Sequence, residues 1–383
     1  MKSARLSIIT PLIYRSSRYS LSHSLSVRLQ RRPFAMADRA TLVRPPPLDP
    51  AKSSIENVLE LTELAVIGPD IFTNTRPLWH PPGARGIYGG AVIAQCLSAA
   101  QRTVPQNFTV HSMHCYFVLA GDAEIPILYH VEHVREGKSF ATRTVQARQK
   151  GKCIFTTTMS FVREKSGGAE TVNHAVTIPK DIILPSEDVS ALMDRMDGGS
   201  PFTSQQTPIL NHDSAHPHEK RTRQWIKARG RISPEGGHQA HLSALAYMSD
   251  SYFIGTVSRI HNLWRFPKTS KIKDGVPDER HEFVKKLKEM EGFADDLENE
   301  KGRPEVGMMV SLDHTIYFHE PRSFRADEWM FSEMQSPWAG DGRGVVQQHM
   351  FTADGTLVAT CIQEGVVRLK PDGSVSKPDK AKL

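Results

Sequence analysis

Three polar residues stand where the surrounding pattern calls for core. Asp250 is the one acid between His241 and Val257, and it falls on the stripe Leu242, Ala246, Asp250, Ile254, spaced as successive turns of one helix face. A carboxylate on that face points into the core, where leaving it unpaired is unfavourable, so it needs partners. Gln363 shares a strand face with Leu357, Ala359 and Cys361, and Ser311 lies on a segment expected to run beside that strand. A carboxylate, a hydroxyl and an amide converging under one sheet can hold a water and take its proton. Each also has a purely structural reading. Asp250 can cap a backbone break or pair with an arginine, Ser311 can be a satisfied core hydroxyl, and Gln363 can bridge the sheet.

Other chemistries lack their residues. The chain contains no Gly-x-Ser-x-Gly, and no histidine is placed by motif to activate Ser311, so a serine nucleophile is not expected. His314 follows Asp313, but neighbours on a strand point to opposite faces and would not share one site. Cys96, Cys115, Cys153 and Cys361 stand singly in apolar patterns and read as buried thiols. The stretch Asn211 to His218 holds three histidines in a loop context without helical spacing, which reads as solvated loop. No metal site is expected. Arg143 and Arg343, near sheet edges, read as solvated charges.

The elements that position these residues occur twice. The block His111 to Arg163 recurs from Leu312 to Arg368, and Gly137 to Arg163 spans the same number of residues as Gly342 to Arg368. The second copy carries the polar substitutions, so it is expected to hold the chemistry. Before the first copy, Tyr88-Gly89-Gly90 opens a helix through Ala100 that is apolar or small on nearly every side and must be buried. Alternating segments follow over Ile127 to Val134, Ser139 to Gln149 and Lys152 to Val162, with turns at Gly137 and Gly151. A buried helix followed by long antiparallel strands implies a sheet curled around that helix. Ser54 onward predicts a short serine-capped helix. Gln224 to Arg229 predicts a strand and His241 to Val257 a helix.

The chain has 383 residues, a hydrophobic content of 39% and a formal charge of +6. Seven basic residues precede the first acid, Asp38, so the body is near neutrality and gives no argument for nucleic-acid binding. No apolar run approaches the ~20 residues of a membrane-spanning helix. Residues 1–50 read as a presequence-like leader and a proline-rich linker, 51–165 and 221–375 as two domains, and 166–220 as the linker between them. An insertion over 264–306, including a charged helix Asp278 to Glu298, interrupts the second domain, and 376–383 form a tail. The acid-free leader suits a mitochondrial address, whereas the terminal Ala381-Lys382-Leu383 suits recognition by a peroxisomal import receptor. A second start at Met36 would remove the leader, so a peroxisomal location is expected.

Four separated motifs carry a family resemblance. These are Gly89-Gly90 at a buried helix start, Ser249-Asp250, the run Ser311 to His319, and the run Val358 to Val366. In this order they resemble the type II acyl-CoA thioesterases, the bacterial TesB and peroxisomal acyl-CoA thioesterase family, from about residue 54 to about 372. The resemblance implies an α+β double hotdog fold, two fused units each with a helix wrapped by an antiparallel sheet. It implies hydrolysis of fatty acyl-CoA to free acid and CoA, with Asp250, Ser311 and Gln363 as the catalytic residues and no cofactor, the CoA thioester being the substrate. Ser311 stands where bacterial relatives carry threonine. Direct attack by water is expected, with helix-start amides polarising the thioester carbonyl. The oligomeric state is not given by the sequence, although further association is common in the fold and a homo-oligomer is possible. The alternatives are an acyl-CoA-binding protein without turnover and a hotdog enoyl-CoA hydratase.

Overall fold

The chain enters its first helix, α1 (Ser54–Leu59), through a capping box in which Glu56 accepts the backbone N–H of Ser53 at 2.8 Å. The helix stops at Leu59, because Glu60 turns extended and β1 (Leu61–Glu63) begins at once. The computed structural model describes residues 45–79, 86–185, 199–263 and 304–371. The leader with Met36, the expected helix Asp278 to Glu298 and Ala381-Lys382-Leu383 lie outside these residues, as does most of the 264–306 insertion.

One connectivity occurs twice. In the first half β1 and β2 (Ile71–Asn74) precede the helix α2 (Gly89–Gln101), followed by β3 (Phe108–Phe117), β4 (Leu128–Glu136), β5 (Phe140–Gln149) and β6 (Lys152–Arg163). In the second, β7 (Phe202–Leu210) and β8 (Arg221–Ala228) precede α3 (Gly237–Met248) and α4 (Gly255–Ile260). Then come β9 (Val306–Ser311), β10 (Asp313–Phe318), β11 (Met330–Gly340), β12 (Arg343–Thr352) and β13 (Leu357–Leu369). The strand order is β1-β2-β4-β5-β6-β3 in one half and β10-β13-β12-β11-β8-β7 in the other, with β9 also paired to β13. Both halves therefore lay the strand after the long helix beside the last strand. The pairing of β3 with β10, Asp313 opposite Tyr116 through Tyr317 opposite Ser112, joins them edge to edge.

The strands form as their alternation predicts. Along β6, Phe155, Thr157, Met159 and Phe161 are buried, and β5 alternates in step with it. The two-residue turn between β5 and β6 places Lys150 and Gly151 at φ 50° and 76°, the left-handed region that a tight hairpin requires. The inner face is covered by α2 and α3, which run antiparallel. Ser243 of α3 donates to the Oε1 of Gln101 at the end of α2 at 3.0 Å, and Tyr247 meets the start of α2. A Cβ at Gly90 would lie 2.1 Å from the Tyr247 carbonyl oxygen, so only glycine permits this approach.

Four expectations need correction. The helix expected over His241 to Val257 is two helices, broken between Met248 and Gly255, where the Ser249 hydroxyl donates back to the Ala246 carbonyl and Tyr252 takes a left-handed φ of 55°. The stretch 166–220 is not linker throughout. It contains β7, whose Thr- and Gln-rich sequence lacks apolar alternation, and Ile178 and Ile182 pack on Trp225, Phe331 and Phe351 on the outer face. Arg143 is not solvated but fully buried, donating to the Thr103 hydroxyl at 2.8 Å, to the Thr103 carbonyl at 2.7 Å and to Glu136. Cys153 is partly exposed, whereas Cys96, Cys115 and Cys361 are buried.

Candidate active site

The break after α3 is what delivers Asp250. A continuous helix would hold its carboxylate along the helix side, whereas the turn swings it to the start of α2, where the Gly90 N–H donates to it. Gly89 leaves room for this, since a Cβ there would lie 2.6 Å from Oδ2 of Asp250. The first amides of a helix lack intrahelical partners and carry partial positive charge, so α2 receives the carboxylate as a cap supplied from the other half. Burial in these surroundings pushes the Asp250 carboxyl up from 3.8 to about 6, with the bonds from Gln363 and Gly90 working against the shift. Part of Asp250 stays open to solvent.

Gln363 comes from the inner face of β13, as its place on the strand predicts. Its Nε2 donates to Oδ1 of Asp250 at 2.8 Å and lies 3.0 Å from Nδ1 of His314. The two amide hydrogens serve one acceptor each, which makes Nδ1 an acceptor and places the imidazole proton on Nε2, assigned here from the hydrogen-bond network. That Nε2 lies 2.9 Å from the Ser249 hydroxyl, which passes its own hydrogen to Ala246. Burial drives the His314 pKa down to about 3, so the ring is neutral. Phe253 closes over it edge-on, with ring centroids 5.3 Å apart. The Gln363 Oε1 is left buried with no hydrogen bond among the described residues.

Asp250 and Gln363 are thus in contact, and Ser311 is one strand pair away. Ser311 ends β9 opposite Gly365, so it shares the inner face with Gln363, but among the described residues its hydroxyl has no hydrogen bond to Asp250 or Gln363. Asp313 and His314 do face apart: Asp313 accepts the Glu364 N–H at 2.7 Å, while His314 lies inside. Strand alternation separates that pair, and His314 is the site residue that no motif reveals. Its signal was present, because His314 alternates with buried Ile316 and Phe318 and is as misplaced on an apolar face as Gln363. Helix-start amides were expected to face a substrate carbonyl, yet the Gly90 N–H is engaged by Asp250. The arrangement offers a base near pH 6, a neutral imidazole that orients an amide, and a free buried acceptor beside both.

Comparison with known proteins follows the same division. Residues 76–162 match the family model for the acyl-CoA thioesterase N-terminal domain and residues 185–367 that for the acyl-CoA thioesterase C-terminal domain. The chain is 35% identical over 341 residues to acyl-coenzyme A thioesterase 8 of Mus musculus, covering 84% of this chain and 91% of that protein. It is 25% identical to peroxisomal acyl-coenzyme A thioester hydrolase 1 of Saccharomyces cerevisiae, over 83% of this chain and 96% of that one. Among solved structures, the acyl-CoA thioesterase II TesB2 from Mycobacterium marinum superposes with a TM-score of 0.57 at 28% identity, covering 84% of this chain and 100% of that one. A protein with a hot dog fold from Alicyclobacillus acidocaldarius superposes at 0.51 and 16% identity, over 83% of this chain and 99% of that one, a likeness of fold alone.

Proposed function

This chain belongs to the acyl-CoA thioesterase family, and from that premise we propose that Asp250 is the base of a direct hydrolysis in which water is held between its carboxylate and the amide oxygen of Gln363. The overall reaction converts an acyl-CoA and water to a free acid and CoA. The observation that carries the assignment is the double donation by the Gln363 NH2 group, to Asp250 and to His314, which leaves Oε1 free. A water lying between the two residues gives one hydrogen to each and turns a lone pair to the thioester carbon. The proton moves to Asp250 as the new C–O bond forms, and the C–S bond breaks as the tetrahedral intermediate collapses. Alkyl thiolates leave readily, since the parent thiol has a pKa near ~8.5, so no strong acid is required opposite Asp250.

Each further part follows from its place. His314, neutral and buried, holds the amide of Gln363 in the orientation that presents Oε1, and acts as a positioning residue. Ser311 supplies a hydroxyl on the same face as a third contact for water or substrate, a role supported by the shared face and not by a bond to the other two. The positive end of α2 stabilises the negative charge of the Asp250 carboxylate, which its Gly90 N–H engages. A peroxisomal location is supported by the name of the yeast relative and is tested by masking Ala381-Lys382-Leu383 with a tag, which should leave the protein outside peroxisomes.

Thiol release from a panel of short to long acyl-CoA, measured beside Asp250→Asn, tests the chemistry. Loss of a positioned base lowers turnover by ~10²–10⁴-fold. Turnover equal to wild type in the variant would remove Asp250 from the reaction. Tight acyl-CoA binding with no release by either protein would favour a binding role.

A further inference from the structure

The strand registers line up one band of polar side chains across the inner face of the second half. Gln363 on β13 faces Val346 on β12, and two residues along β12 on the same face is Gln348. The Gln348 Nε2 donates to the Ser332 hydroxyl of β11 at 2.7 Å. Ser332 stands opposite Gln224 on β8, and Gln224 stands opposite Gln206 on β7. The band therefore crosses five neighbouring strands, from the candidate active site to β7, the edge strand of the sheet. Its neighbours on the same face, such as Met330, Met334, Met350 and Cys361, are apolar and buried. A second tie comes from Gln224, whose Nε2 donates to the carbonyl of Ser251, next to Asp250.

All five side chains are buried, Gln206 at 4% exposure and the other four fully. Yet Oε1 of Gln363, Gln348, Gln224 and Gln206, and Nε2 of Gln206, have no hydrogen bond among the described residues. A buried amide atom without a partner is costly, and folded proteins hold few of them. Such a concentration in one line is what a dry core would not keep, whereas a file of waters, each touching two to four polar groups, satisfies every one. We propose that this band holds a row of ordered waters leading from the edge strand β7 to Asp250, and that the row supplies the water each turnover consumes. The inference rests on direct hydrolysis at Asp250. It also answers a need of that reaction, because an acyl-CoA seated against the open side of Asp250 closes that side to solvent, whereas the band runs through buried side chains.

Gln206→Met in the full chain is the decisive variant. It lies at the far end of the band from Asp250 and makes no side-chain hydrogen bond among the described residues, so the substitution removes only the anchor for water. Thiol release should show kcat lower by about five- to tenfold, the equivalent of losing one ordered water, with KM within about twofold and Tm unchanged or raised. A folded variant with wild-type kcat would overturn the supply role. Diffraction from the wild-type protein provides a second decision that does not depend on the variant folding. Waters bonded to Oε1 of Gln224 and Gln348 support the row, and a dry band with the amides bonded to one another refutes it. Asp250→Asn keeps the two readings apart. If that variant hydrolyses normally, direct attack at Asp250 fails whatever Gln206→Met does, and if it is inactive while Gln206→Met is normal, only the water row fails.

Discussion

A carboxylate lifted to about 6 is still mostly ionised at pH 7, so Asp250 can accept a proton near neutrality and return it easily. Because the ionised form is the active one, kcat/KM should fall about tenfold per unit as pH drops below about 6, and a pH–rate profile checks this. His314 and Asp250 also pull stability in opposite directions. Unfolded, the imidazole titrates near 6.5, and folded near 3, so between these values the unfolded chain binds the extra proton. Stability from this group is full above pH 6.5 and falls by about 1.4 kcal/mol per unit as pH drops through the window. Asp250 titrates near 3.8 unfolded and near 6 folded, so the folded chain binds the extra proton there and stability rises as pH falls. The two slopes oppose one another between about pH 4 and 6. His314→Gln should unmask the Asp250 slope, so that urea midpoints of the variant, relative to wild type, climb as pH falls across that window. Parallel profiles would mean that His314 takes no proton on unfolding.

At the level of elements, the meeting of α2 and α3 decides both stability and chemistry, and its two glycines divide the work. In an exposed helix, glycine to alanine would stabilise by roughly 1 kcal/mol. Gly90→Ala should instead destabilise by about 1–3 kcal/mol, because its Cβ meets the Tyr247 carbonyl and forces the two helices apart. Gly89→Ala meets the Asp250 carboxylate and the Phe117 ring, so its expected signature is a fall in kcat that exceeds its loss of Tm. Thermal melts and thiol release on the same preparations separate the two. The strands and the buried helix α2 were legible in the chain because period-two and all-apolar patterns report burial directly. The break after α3 was not, since Leu242, Ala246, Asp250 and Ile254 keep helical spacing through a turn made by one hydroxyl bond and one left-handed residue. β7 stayed hidden for the converse reason: its inner face carries Gln206, part of the polar band, where a core strand ordinarily carries an apolar residue.

At the scale of the whole chain, the two repeats cannot be separated without dismantling the site. Asp250 and Gln363 come from the second half, while the Gly90 N–H that receives the carboxylate comes from the first. The same dependence runs through the sheet, where β10 pairs with β3 on one side and β13 on the other. A fragment covering residues 199–371 would present β10 as an unpaired edge and leave Asp250 without its helix cap. It is expected to release no thiol from acyl-CoA and to self-associate through that edge, which sedimentation and the thiol assay will show. Wild-type turnover by the fragment would contradict a site assembled from both halves.

The chain by itself determined the duplicated connectivity, the buried α2 and the polar residues on apolar faces, because each is a local pattern set by the period of a helix or strand. It also pointed, through four short runs, to the family that the comparisons show. Only the tertiary structure decided how those residues meet. It broke the helix to carry Asp250 to α2, set the Gln363 amide between Asp250 and His314, and left Ser311 a strand pair away. The Gln363 contacts join groups 113 and 49 positions apart in sequence, and the contact of Asp250 with Gly90 spans more still. A buried donor seeks whatever acceptor the packed chain brings to it, and no local spacing encodes that choice.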